Sequence, residues 1–551
     1  MLNMMICSIM FFIMSFLMLF LGLSLILFNK IYVIEWLIFK FSSMKLNLIL
    51  LLDDLSLIFI YLVLMISSVV MIYSISYMTL EEIMIKRFFY LLMLFVFSMC
   101  LMIISPNLLT IILGWDGLGL ISYCLIIYYQ NNKAYNSGML TMILNRLGDC
   151  SLLMLIGLMG LLGSWNLFLY NNFISMSIIL LIILMSFTKS AQMPFSSWLP
   201  AAMMAPTPIS SLVHSSTLVT AGIYLLIRYN NFLNLYMIYI LLISSFTMLL
   251  SGLFANYEID FKKIIALSTL SQLGFMMSIL SLGYIDLTFL HLIIHALFKS
   301  LMFLCVGSFI HYNNGSQDLR DYSGMFYIYP FKSMILLFTL MSLSGFPFLV
   351  GFYSKDLIME CFFFSKMNML SFLNLFISTL MTISYSVRLI LIIMLNNNLK
   401  FFLNYIKEDL LMNLCMLYMM INSIFFSQFY LMMKFSLLSF NLDYLYKVMM
   451  MKLYILGLIL GYQFYYMMYW VNMIGFLMKN MFYLNNMYSS IYLYPMKLIY
   501  SYEFSLEKFY FQNLLSDFMV IILNIFNMKI YYVYLYMLLM MYLYLYLLML
   551  L

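Results

Sequence analysis

The chain has 551 residues, of which 66% are hydrophobic and 8% charged, with a formal net charge of +6. A soluble domain carries about 25% charged residues, so a water-soluble globular fold is excluded. The small positive excess gives no basis for nucleic-acid binding and reads as loop charge that biases membrane topology. Apolar runs of about 20 residues recur along the sequence, each long enough as a helix to cross a ~30 Å hydrocarbon core. About fifteen spans are expected, which makes this an all-α, polytopic transmembrane chain.

The first run, Met4 to Phe28, lacks a basic start and exceeds the ~7–15 apolar residues of a cleavable signal, so it is expected as the first transmembrane helix. The stretch "NKIYVIEWLIFKFSSMK" and two more apolar spans follow. In "LGWDGLGLISY", Gly117 and Gly119 begin like a dinucleotide fingerprint, but no third glycine follows, and close helix packing explains them better. Asp116 in the same stretch is a carboxylate in an apolar span. Paired with Lys189, it is either a switch in which each group biases the other's protonation or a simple structural ion pair. In "NRLGDC", Arg146 and Asp149 are three residues apart on one helix and can satisfy each other.

The segment "KSAQMPFSSWLPAAMMAPTPISSLVHSSTLVTAG" carries Pro194, Pro200, Pro206 and Pro208, so a helix following Lys189 is expected to break. His214 lies beyond this break, near mid-membrane. "YEIDFKK", with Glu258, Asp260, Lys262 and Lys263, reads as a solvated helix entry at the membrane surface. In "FLHLIIHALFKSLMF", His291, His295 and Lys299 recur every four residues, within roughly an 80° arc of one helix face. Two histidines at i and i+4 can share a metal, but no acid lies between them and the next residue on that face is a lysine. Interhelical structure is a second reading. A proton relay fits best, because histidine titrates near pH 6.5 and groups ~6 Å apart on adjacent turns can exchange protons through water.

"LSGFPFLVGFYSKD" supplies a second proline- and glycine-broken helix, followed by Lys355 and Asp356, and Arg388 is a further charge in a later span. Each charge at mid-helix costs about 2.5–3.5 kcal/mol on the mildest insertion scale, so these groups face inward, toward partners or water. Paired broken helices beside lysines point to a transporter built from internal repeats. Near residue 500, Glu503, Glu507, Lys508, Gln512, Ser516 and Asp517 recur at three-to-five-residue spacing, which suits a lateral amphipathic helix ahead of a terminal oily span.

The seven cysteines are scattered on apolar helices without a CxxC pair, which argues against an iron–sulfur cluster or zinc site. The composition, with 58 Met, 51 Phe and 46 Tyr against 21 Gly and 8 Pro, follows A/T-rich codons and points to an organellar gene.

The blocks "WDGLGLISYCLI", "NRLGD", the proline-rich segment, "KKIIALSTLSQLGFM", "HLIIHALFKSLMFL" and "SGFPFLVGFYSKD" occur in this order and together resemble the antiporter-like subunits of respiratory complex I. The resemblance is strong over residues 50–390, and beyond that it is one of layout. It implies two inverted five-helix repeats, each with a broken helix, over residues 86–232 and 233–396. Flanking them are N-terminal helices (1–85), additional helices (397–480), and a lateral helix with a terminal anchor (481–551). It further implies a proton path through Asp116, Lys189, His214, His291, His295, Lys299 and Lys355, and the intramembrane charges Asp149 and Asp356 are expected to join that relay. Many members of the family carry glutamate where this chain has Asp116, so contact with Lys189 requires a water or a helix shift.

No motif for NADH, FMN, iron–sulfur clusters or ubiquinone is found, so these cofactors are expected in other subunits. The implied partners are other membrane-arm subunits, especially a neighbouring antiporter-like one, and phospholipids; the implied location is the mitochondrial inner membrane. A multi-subunit sodium/proton antiporter is the nearest rival reading. A non-pumping structural brace is the rival of another class.

Overall fold

The computed structural model describes residues 2–503 apart from 42–43, 79–81, 171–174, 234–235, 314, 366–367, 396–407, 436–443, 468–472, 480 and 485–495; beyond 503 it describes only 505–506, 516, 539–541 and 543. Two units are distinguished, Met1–Lys479 and Asn480–Leu551. In the second unit, the expected lateral helix around Glu507, Lys508, Gln512 and Asp517 and most of the expected terminal span lie outside the described residues.

Helix α1 (Leu2–Phe28) packs along α2 (Asp54–Tyr77) and leaves most of its own apolar surface outward. Between them lie β1 (Tyr32–Phe41) and β2 (Met44–Leu52), an antiparallel pair with Tyr32 opposite Leu52 and a bulge between Leu37 and Phe39. This hairpin departs from the all-α expectation. Its few polar residues, Glu35, Lys40, Lys45 and Asn47, are too sparse to set the two-residue period that separates a strand from a buried helix. Asn107 anchors it, donating from Nδ2 to the Asn47 carbonyl at 2.8 Å.

The next five transmembrane elements begin with α3 (Glu82–Ile104), α4 (Leu108–Ile126) and α5 (Asn132–Leu162). The fourth is broken: α6 (Met176–Lys189) ends in the proline-rich stretch, which continues through the short α7 (Trp198–Ala201). The fifth runs from Thr207 to Arg228 as α8 (Thr207–Ile209), a π-helical stretch Ser210–Thr217, and α9 (Leu218–Arg228). A second series has the same order: α10 (Met237–Tyr257), α11 (Phe261–Ser281), α12 (Ile285–Tyr312), a broken fourth element and a fifth helix. After the short α13 (Met325–Ile328), the broken element is α14 (Pro330–Ser344) followed by α15 (Val350–Phe364). The fifth helix is α16 (Met369–Leu395), and α17 (Leu410–Phe435), α18 (Tyr444–Met467) and α19 (Met473–Lys479) complete the first unit.

The protein is a multi-pass membrane protein. Among the described residues twelve helices are long and apolar enough to cross a membrane, fewer than the about fifteen expected. Breakage accounts for part of the difference: Met176–Lys189 and Pro330–Ser344 are apolar but shorter than a full span. The core is formed by the Thr207–Arg228 element, α11 and α12, all buried along their length, while α1, α17 and α18 show large apolar side chains outward. An apolar exterior around a polar-containing interior is what a lipid solvent selects.

Candidate functional site

The face of α12 predicted from spacing is where polar groups gather. His291, His295 and Lys299 are all buried, at 6%, 4% and 0% exposure. His291 is held on both sides, with Nδ1 3.1 Å from Ser354 Oγ of α15 and Nε2 3.1 Å from Gln272 Oε1 of α11. Its nitrogens are thereby committed to protein partners, which leaves the metal reading without support. His295 has both ring nitrogens buried and no protein partner. Lys299 donates from Nζ to Ser268 Oγ at 2.6 Å.

Lys355, on the second half of the broken element, donates to Thr382 Oγ1 at 2.8 Å and to the Ser344 carbonyl at 3.2 Å. That carbonyl belongs to the last residue of α14, so the break exposes a backbone acceptor and Lys355 satisfies it. A cavity of about 20 Å³ lies between these groups, lined by Gln272, His291, His295, Lys299, Ser342 and Lys355. This is room for about one water molecule, with enough polar neighbours to hold it. Asp356 is half-buried beside Lys355 and is not among the lining residues.

The first five-helix series holds a smaller group. Lys189, the last residue of α6, is buried, donates to the Trp115 carbonyl at 3.4 Å, and lies 4.9 Å from the Trp115 ring centroid. Among the described residues no ion pair joins Lys189 to Asp116. Asp116 instead lies 3.9 Å from Arg146 Nη1, too far for a hydrogen bond, and the same guanidinium is 3.2 Å from Asp149 Oδ2. One arginine therefore bridges two carboxylates, and the expected Arg146–Asp149 pairing is present. Lys189 thus contacts a carbonyl and a ring face directly, while the charges of Asp149 and Asp116 act on it without an ion pair, a packing detail no spacing reveals. His214 sits in the π-helical stretch, buried, with neither ring nitrogen bonded to protein.

Residues 105–382 match the family described as NADH:quinone oxidoreductase/Mrp antiporter, transmembrane, and residues 36–89 match the complex I chain 5 N-terminus. The chain belongs to the NADH:quinone oxidoreductase/Mrp antiporter family. Among relatives, NADH-ubiquinone oxidoreductase chain 5 of Apis mellifera ligustica is 62% identical over 331 residues, 60% of this chain and 59% of that protein. The Aedes aegypti protein of the same name is 53% identical over 383 residues, covering 68% and 66%. The one from Anopheles arabiensis is 54% identical over 358 residues, covering 64% and 93%. The matched stretch thus spans about 59–66% of the length of the first two relatives. In fold, the chain is similar to the Mrp complex of Dietzia sp. DQ12-45-1b, with TM-score 0.75, 22% identity, and coverage of 94% of this chain and 60% of that one.

In this antiporter-family chain, several buried charges escape a reading of the sequence. "YEIDFKK" is not a solvated entry. Lys262 is buried and donates to the Ala205 carbonyl at 3.4 Å, and only Lys263 and Asp260, paired at 2.5 Å, remain about one-third exposed. Glu258, just past α10, is also buried, and that burial pushes its carboxyl above the ordinary range. Arg388 is structural: it donates to the carbonyls of Ala255 at 3.0 Å, Glu258 at 2.9 Å and Asn256, closing the end of α10. Lys332, on the first turn of α14, is completely buried. Lys262 and Lys263 are adjacent in the sequence, and no spacing signal separates the buried lysine from the partly exposed one.

Proposed function

We propose that this chain is a proton-translocating membrane-arm subunit of respiratory complex I in the mitochondrial inner membrane. The observation that carries the proposal is the arrangement of His291, His295, Lys299 and Lys355 around a one-water cavity in the buried centre of the bundle. Two imidazoles and two amines within reach of one water can pass a proton by small reorientations, while the apolar shell keeps ions out. Lys189, His214 and the Arg146 carboxylate bridge supply a second polar group in the other five-helix series. The fourth element breaks in both, which supports division into repeats over about 86–232 and 233–396.

Redox chemistry belongs to other subunits, which bind NADH, FMN, iron–sulfur clusters and ubiquinone. Its electrostatic effect reaches this chain as a shift in protonation along Asp116, Asp149, Lys189, His214, Lys299 and Lys355, with Asp356 beside the last. The side chains of Asp116 and Arg146 are 37% and 42% exposed on the chain surface within apolar helices. Lipid is a poor neighbour for such a pair, so a neighbouring antiporter-like subunit covers that face. The names of the relatives support a place in complex I.

Isolation of the chain from gently solubilised membranes tests the assignment. Copurifying flavin and iron–sulfur proteins with NADH oxidation are expected. Sodium-dependent proton exchange in an assembly lacking flavin would assign the chain to an antiporter instead.

A further inference from the structure

Twelve residues beyond Lys299, about 18 Å along the helix, α12 ends in a second polar cluster that the axis above does not use. Lys332 lies there with its Nζ fully buried, 3.8 Å from the Tyr312 ring centroid and 5.5 Å from that of Tyr329, and with no hydrogen-bond acceptor. The two tyrosine rings stack at 5.0 Å. His311, the preceding residue on α12, has a buried Nδ1 without a partner, and its ring lies 5.6 Å from Tyr312 and 5.3 Å from Tyr77. The Tyr312 hydroxyl accepts from the backbone amide of Asp409, whose carboxylate, with that of Glu408, supplies the negative charge acting on Lys332. Asp409 itself is exposed.

Polar atoms also connect this cluster inward. A Cβ at Gly307 of α12 would meet Thr207 Oγ1 at 2.6 Å and Tyr73 Oη at 3.0 Å, so the glycine makes room for two hydroxyls against the helix. Tyr73 donates to the Leu304 carbonyl at 3.0 Å, and Thr207 opens the element that carries His214. Two hydroxyls, those of Tyr73 and Thr207, therefore meet α12 at Gly307, between Lys299 and His311 in the chain. An ammonium with only ring faces and two carboxylates to offset its desolvation is placed to exchange a proton, not to brace a fold, for which an apolar side chain would serve.

We propose that Lys332, with His311 and Asp409, forms a proton port through which the buried axis communicates with the membrane face at the start of α17. The step is a proton transfer alone: an N–H bond of Lys332 breaks as an O–H bond forms on the Asp409 carboxylate, and a proton arriving by way of His311 restores the ammonium. The inference rests on the proton-translocating reading above.

Arginine separates the port from a structural post, because it keeps the charge and the ring contact but does not give up its proton. In sealed vesicles holding the assembled complex, protons moved per NADH oxidised would be measured for Lys332→Arg, Asp409→Asn and Lys299→Ala. The port predicts that Lys332→Arg assembles and that both Lys332→Arg and Asp409→Asn lower the ratio by about twofold or more. A normal ratio in Lys332→Arg, with loss in Lys299→Ala, overturns the port and leaves the axis standing. Normal ratios in all three overturn the axis as well. Should Lys332→Arg fail to assemble, a normal ratio in Asp409→Asn, a change at an exposed residue, suffices to overturn the port.

Discussion

Asp53 shows how one residue can join two distant parts of this chain. It caps α2, accepting from the Ser56 amide at 3.0 Å, and receives Arg228 of α9 in a bidentate pair that includes Nη2 to Oδ1 at 2.7 Å. Burial alone would raise its carboxyl, but the hydrogen bonds and charge of Arg228 outweigh it and hold the group below its ordinary 3.8. A carboxylate depressed in the folded state stabilises it fully above the ordinary value, and that contribution is lost as pH falls through the lower folded value. Asp53→Asn should cost about 3 kcal/mol at neutral pH by leaving Arg228 buried and unpaired. Melting of the solubilised assembly across a pH series checks both parts: the variant melts lower near pH 7, and the gap narrows below about pH 4. Spacing displays His291, His295 and Lys299 in the sequence because the helical period alone puts them on one face; their partners, Ser354, Gln272 and Ser268, lie on other helices and are not readable that way. Arg388 and Lys262 were not legible, since the carbonyls they satisfy lie about 130 and 57 residues away in the chain.

At the scale of elements, the two broken helices were readable from proline and glycine, whereas the β1–β2 hairpin was not, because Glu35, Lys40, Lys45 and Asn47 are too sparse in an otherwise apolar stretch to mark a two-residue period. Close packing at the second break makes it testable. A Cβ at Gly351 would lie 1.8 Å from the Ser342 carbonyl oxygen, so the start of α15 must move away from α14 if any side chain is added. Ser342 and Gly351 both line the cavity. Gly351→Ala should therefore lower stability by about 1–3 kcal/mol and reduce protons moved per NADH, measured by melting and vesicle uptake. Gly157→Ala, where a Cβ meets nothing within 4 Å, is the matched control and should leave both unchanged.

For the whole molecule, the distribution of charge separates inside from outside. Interior charges such as Lys299, Lys355 and Arg388 find hydrogen-bond acceptors within the chain, but Asp116 and Arg146 are only partly covered, and a mid-membrane charge facing lipid costs about 2.5–3.5 kcal/mol. Arg146→Leu should loosen the chain from its neighbour more than it unfolds the chain. Native electrophoresis of mildly solubilised membranes should show subcomplexes, and unchanged intact complex would argue that this face meets lipid. The central claim concerns the cavity on α12, and Lys299→Ala addresses it most directly, most practically at the matched position of a tractable relative. In sealed vesicles with assembly verified, NADH oxidation and proton uptake are recorded together. A buried relay predicts an assembled complex whose protons per NADH fall well below wild type; a normal ratio would contradict it and leave His291, His295 and Lys299 as interhelical structure.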